Sequence, residues 1–225
     1  MSAAPPPGAP RTTGPLAVLA RLRDAPPAPV VRAGERCELC AVPLDDHHGH
    51  LVDLEHRSLR CACRGCWLLF TADGAGGARF RAVPERVVSF PGVRLTPSEW
   101  DALQIPVSIA FFFTNSTLGR VVAFYPGPAG TTESLLALEA WEEVTTAHPE
   151  LTVLLPDVEA LLVRAPWGGG PPECFGVPID SCYELAGALR TSWRGFDGGS
   201  DAHAVVDTFF DRVRVRSRPA PAADR

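Results

Sequence analysis

The sequence predicts an α+β fold: a small N-terminal module, treble-clef-like or ribbon-like, followed by an antiparallel-rich sheet with helices packed on it. Three observations predict it. Five of the seven cysteines crowd into one short stretch, as Cys37-x2-Cys40 and then Cys61-x-Cys63-x2-Cys66. From Arg79 onward, β-branched and aromatic runs alternate with stretches of helical periodicity. The 225 residues are 46% hydrophobic and 21% charged, enough apolar material for a sizeable core in one or two domains.

Taken in order, residues 1–34 read as a flexible proline-rich tail, in which Leu16 to Arg23 can form a short amphipathic helix and Pro26-Pro-Ala-Pro29 a stiff linker. Residues 35–76 form the cysteine-rich module. Pro43 stops any helix after the first cysteine pair, and the chain is expected to turn through Asp45-Asp-His-His-Gly-His50. Leu51, Leu54 and Leu59, interleaved with Asp53, Glu55 and Arg57, fit a two-stranded ribbon with one apolar face that returns the chain to Cys61. The second pair then occupies a loop and the first turn of a helix, Cys63-Arg-Gly-Cys66-Trp-Leu-Leu-Phe70.

Two thiolates three positions apart can grip one ion from a single backbone turn, so the two pairs, Cys37 with Cys40 and Cys63 with Cys66, supply the four sulfurs of a tetrahedral metal site. Cys61 is left over and could replace Cys63. His48, within the group His47, His48, His50 and His56, is a further substitute, because a three-cysteine, one-histidine site is also reachable. A closed four-sulfur set points to structural Zn2+, with Fe as the alternative, since spacing does not separate the two. Ala41 and Trp67 follow the two pairs, where an iron knuckle of the rubredoxin type usually carries glycine and proline.

Asp73-Gly-Ala-Gly-Gly77 marks the boundary to an α+β domain over residues 77–216, and 217–225 reads as a disordered tail. Arg79 to Val83 and Val87 to Phe90 are short strand candidates. Thr96 caps a helix with Pro97 at its first position. Val107 to Phe113 and Arg120 to Tyr125, joined at Gly119, read as an antiparallel hairpin. Thr132 to Ala147 reads as a helix with Leu135, Leu138 and Trp141 inward and Glu139, Glu142 and Glu143 outward. Val158 to Ala165 is a strand, Gly168 to Pro172 a turn, and Cys174 to Ile179 the returning strand. Asp180 or Ser181 then caps a helix through Trp193, and a last helix runs from about Ala202 to Arg212.

The net charge of −5 and pI near 5.7 argue against a generic nucleic-acid binder. All 21 basic residues are arginine, which reflects the coding bias of a GC-rich bacterial genome. Arg212, Arg214, Arg216 and Arg218 read as a solvated helix end. No long apolar span and no signal segment is present, so a cytoplasmic protein is expected, in keeping with reduced Cys-x2-Cys pairs. The catalytic search finds no constellation. Gly168-Gly-Gly170 lacks the Lys-Ser/Thr of a phosphate loop, no G-x-S-x-G elbow exists, and the helix after Cys66 lacks the His or Asn of a metal-finger nuclease. Cys174 and Cys182 read as buried thiols, and Tyr183, Trp193 and Phe196 as core or surface anchors.

Several blocks together resemble a known family: Cys37-Glu-Leu-Cys40, Leu51-Val-Asp53, Leu59 to Phe70, Arg79-Phe-Arg-Ala-Val-Pro84, Pro178 to Leu185, and Trp193-Arg-Gly-Phe-Asp197. The family is an actinobacterial domain of unknown function whose genes tend to lie near uptake nickel–iron hydrogenase operons. The resemblance covers residues 35 to 215 and implies an accessory, maturation or partner protein of a hydrogenase system. It carries over no catalytic residue. The expectation is a non-enzymatic, metal-binding accessory or adaptor protein whose partner is a hydrogenase subunit or maturation factor. The alternatives are an iron-bearing electron-transfer protein, an enzyme using the second domain, and a nucleic-acid-binding regulator.

Overall fold

The computed structural model describes residues 36–72, 75, 79–127, 130–134, 138–165, 172–194 and 198–220. The expected N-terminal helix and linker, most of the 73–77 and 168–172 loops, Leu135, Phe196 and the end of the tail lie outside those residues.

Two sheets and their helices make a mixed α+β architecture, as expected. The small sheet has the order β2-β1-β3, with β1 Gly49–Asp53, β2 Ser58–Ala62 and β3 Phe80–Ala82, all antiparallel. A short helix, α1 Arg64–Leu68, follows β2 directly. The expected ribbon is therefore present, but its turn is elsewhere. Gly49 and His50 belong to β1, and the chain reverses at Leu54 to Arg57, with Arg57 at φ 52°. Asp53 also departs from expectation: it shares the inner face with Leu51, as the two-residue period of a strand requires, and both are fully buried. The strand candidate at 79–83 pairs with β1, so it extends the small sheet beyond residue 77.

The large sheet runs β10-β4-β9-β8-β5-β6-β7. Its members are β4 Val88–Ser89, β5 Ile109–Asn115, β6 Arg120–Gly127, β7 Gly130–Ser134, β8 Glu159–Arg164, β9 Glu173–Pro178 and β10 Arg218–Pro219. All neighbours are antiparallel except β10 and β4. Helices cover both faces, which explains the unbroken apolar runs of β5 and β8. Phe111, Leu162, Phe175 and Val177 point to α4 Ile179–Ser192 and α5 Gly199–Arg216. Ala110, Phe112, Leu161, Val163 and Cys174 point to the other side, where α2 Pro97–Ala102, α3 Leu138–Ala147 and a 3-10 turn at Pro149–Val153 lie. Gly176 sits mid-strand because a Cβ there would come within 2.5 Å of both Leu154 and Val88.

Several boundaries differ from the sequence reading, for local reasons. Thr96 and Glu99 form the expected cap, a full capping box. Of the helix expected from Thr132, Leu138–Ala147 is helical, whereas Thr131 and Thr132 extend the sheet opposite Pro126 and Tyr125. α3 buries Val144 and stacks Trp141 on Phe112 at 4.8 Å, with Glu139, Glu142 and Glu143 outward as expected. Neither Asp180 nor Ser181 caps α4; the helix starts at Ile179, after Pro178, and Asp180 lies in its first turn. α5 is longer than expected at both ends. Within the expected tail, Arg218 and Pro219 lie parallel to β4, held by Arg218 N–H to Val87 O and Ala220 N–H to Ser89 O. Among the described residues no helix is long and apolar enough to cross a membrane.

Candidate metal centre

The first cysteine pair is shaped by the backbone before any metal is considered. Cys37 N–H donates to Val42 O, and Ala41 N–H donates to Cys37 O at 2.7 Å, closing a tight knuckle with Ala41 at φ 62°. Glu38 docks that knuckle onto β2. Its N–H donates to Cys61 O at 2.9 Å, while its carboxylate accepts from Cys61 N–H at 2.6 Å and from Arg60 Nη1 at 3.0 Å. The second pair is presented by α1. Cys63 is its N-cap, with Sγ accepting from Cys66 N–H at 3.4 Å, and Trp67 N–H donates to Cys63 O. Trp67 anchors the helix through Nε1–H to Val83 O at 2.9 Å and covers Gly49, where a Cβ would stand 2.7 Å from the indole.

These elements gather the Sγ atoms of Cys37, Cys40, Cys63 and Cys66 within 4.8 Å of one another, a cluster that could hold a metal ion. Cys40 and Cys63 are 3.7 Å apart, far beyond a disulfide bond, and all seven cysteines are free thiols. Zinc–sulfur bonds of about 2.3 Å put neighbouring sulfurs of a tetrahedron about 3.8 Å apart. The spacing therefore fits such an ion. Leu51 and Ala62 close the inner side, with Trp67, Phe70 and Phe80 around them.

The thiols do not ionise alike. Burial works against the Cys37 thiolate, but N–H groups of Cys63, Cys40 and Leu39 outweigh it and bring its pKa down to about 6. Burial pushes Cys66 up to about 12, helped by the neighbouring thiols of Cys40, Cys37 and Cys63. Cys40 is also raised: the Val42 N–H favours its thiolate, and the Cys37 side chain opposes it. One sulfur thus takes negative charge readily and makes its neighbours hold their protons, the expected behaviour of like charges at contact.

The substitute ligands lie apart from this cluster. Cys61 and His48 come together with His50 instead. His56 is engaged with Asp53, its Nδ1 3.0 Å from the carboxylate. Cys174 and Cys182 are buried on opposite faces of the large sheet, and burial pushes Cys174 up to about 12 and Cys182 well above its ordinary value. The arginines of the C-terminal helix are partly neutralised, Arg212 by Glu184 and Arg214 by Glu173 and Asp211. Sequence reading missed the cleft of about 580 Å3 between the ribbon and the large sheet, lined by Val52, Leu59, Phe113, Phe124, Ile179 and Tyr183 among others. Its walls come from segments far apart in the chain, from Val52 to Tyr183, so no local signal could have shown it.

No curated protein and no solved structure matches the chain. The profile of one family, described as a family of unknown function (DUF5947), matches residues 36–217, from the residue before the first cysteine to the end of α5. The match spans the small sheet and every strand of the large sheet but β10, and the chain belongs to this family of unknown function.

Proposed function

We propose that this protein is a non-enzymatic zinc-binding accessory or adaptor, in which Cys37, Cys40, Cys63 and Cys66 hold one structural Zn2+ in a treble-clef-like module and the large α+β domain offers the interaction surface. The observation that carries the reading is the four-sulfur cluster, with its 3.7 Å contact between sulfurs of different cysteine pairs. Knuckle, ribbon and short helix follow one another as a treble clef requires, and a closed all-thiolate set suits a structural ion. A reducing cytoplasm keeps such thiols available. The partner class we propose, a hydrogenase subunit or maturation factor, rests on the resemblance of the sequence blocks described above.

Because the binding energy of such a site is largely folding energy, Cys63→Ser is expected to release the metal of the four-sulfur site and to unfold residues 36–72. Metal content and circular dichroism of the purified full chain measure this. Retention of the unaltered chain's full metal content by the Cys63→Ser protein contradicts the assignment. Zinc leaves the protein colourless, and visible absorbance that bleaches with dithionite replaces this reading with iron-based electron transfer. For the partner, deletion in the native host is expected to lower hydrogen uptake. Unchanged uptake removes the hydrogenase assignment.

A further inference from the structure

On the outer face of the ribbon, His48, His50 and Cys61 each bring one ligand atom to within 4.8 Å of the others. We propose that these three residues form a second transition-metal site, separate from the four-cysteine cluster, with a fourth coordination position left to solvent or a small exogenous ligand. The inference goes beyond the structural zinc, and neither site needs the other.

Register alone brings the residues near. His50 and Cys61 are cross-strand partners, and the rings of His48 and His50 lie 5.0 Å apart. The state of the two imidazoles adds the chemical argument. His48 Nδ1 is 2.8 Å from Asp45 O, and a carbonyl can only accept, so Nδ1 carries the proton and Nε2 of the neutral ring a lone pair. That Nε2 is shut away from solvent and has no hydrogen-bond partner. A buried acceptor left unmade is costly, and a metal ion satisfies it. His50 is held the same way, with Nδ1 2.9 Å from Asp180 Oδ2 in the first turn of α4. A carboxylate behind a histidine is the outer partner that metal-binding histidines commonly have.

The donor set, one thiolate and two imidazoles, suits zinc and its neighbours in the first transition row. Three protein ligands are the number found where zinc keeps an exchangeable position. Asp180 comes from the large domain, so the site spans ribbon and helix. Val52 and Leu59, the next residues along the same ribbon face, line the cleft of about 580 Å3. A small ligand at the open position would therefore sit close to an apolar cavity. Reading Cys61, His50 and Asp180 as nucleophile, base and acid leaves the buried His48 nitrogen unexplained, whereas metal binding accounts for every side chain.

Equilibrium dialysis of the full chain against micromolar zinc, followed by elemental analysis, tests the proposal. The expected content is about two equivalents in the unaltered chain and about one in each of Cys61→Ser and His48→Gln, both with unchanged circular dichroism. Asp180→Asn is expected to weaken the second equivalent about 10–100-fold while sparing the first, which a merely structural aspartate would not do. About one equivalent in the unaltered chain that Cys61→Ser and His48→Gln both keep, or about two in both of those variants, overturns the proposal. Zinc that depends on Cys61 and His48 but not on Cys40 upholds this site and removes the structural-zinc reading; dependence on Cys40 alone does the reverse.

Discussion

Asp53 is the residue on which the ribbon's charge balance turns. Its carboxylate is fully buried, 3.0 Å from Arg79 Nη2 and 3.0 Å from His56 Nδ1, with the His56 N–H at 3.2 Å. The Arg79 guanidinium, aided by the His56 N–H, overcomes burial and holds the carboxyl well below its ordinary value of 3.8. A depressed carboxyl contributes stability in full above the unfolded value and loses it as pH falls through that value toward the folded one. Asp53→Asn is therefore expected to destabilise the module by about 2–3 kcal/mol at neutral pH, at the low end for a broken buried pair because Arg79 and His56 remain half exposed. The difference from the unaltered chain should shrink below about pH 4. Denaturant unfolding across pH measures both, and a gap that grows on acidification contradicts this account.

At the scale of elements, Gly49 joins ribbon and α1, because only a residue without a side chain lets Trp67 lie against β1. Gly49→Ala is expected to cost about 1–3 kcal/mol by displacing the indole and the helix that carries Cys63 and Cys66. Trp fluorescence and thermal melting report it, and an unchanged melting temperature would mean that the helix does not depend on this contact. Elements with dense local signals were legible in the sequence. The ribbon, the Thr96 cap, the β5–β6 hairpin and the paired strands 159–164 and 173–178 were read from periodicity and punctuation. The strands missed or misplaced were those whose partners are distant or carry helix-compatible neighbours. β7 was absorbed into the helix that follows it, and β10 is two residues long and exists only through bonds to β4. The four clustered cysteines were legible because their spacing is itself the signal. The union of Cys61, His48 and His50 was not, because it depends on a strand register that puts His50 opposite Cys61 and on Asp180, 130 residues away.

Across the whole molecule, the large sheet has cores of its own on both faces, while Val52 and Leu59 of the ribbon rest against one of them. The large domain is therefore expected to outlast the cysteine-rich module. After chelation, alkylation followed by mass spectrometry should label Cys37, Cys40, Cys63 and Cys66 quickly. Cys174 and Cys182 should stay unlabelled until denaturant is added, because burial keeps both as protonated, inaccessible thiols. Labelling of all of them together on chelation would show that the two parts unfold as one. X-ray absorption at the zinc edge of the Cys61→Ser chain tests the four-sulfur site most directly, since that variant lacks the one thiol of the His48, His50 and Cys61 group. The predicted result is about one zinc per chain in a shell of four sulfurs at about 2.3 Å. A chain without tightly bound metal, or a first shell dominated by nitrogen and oxygen, would contradict it.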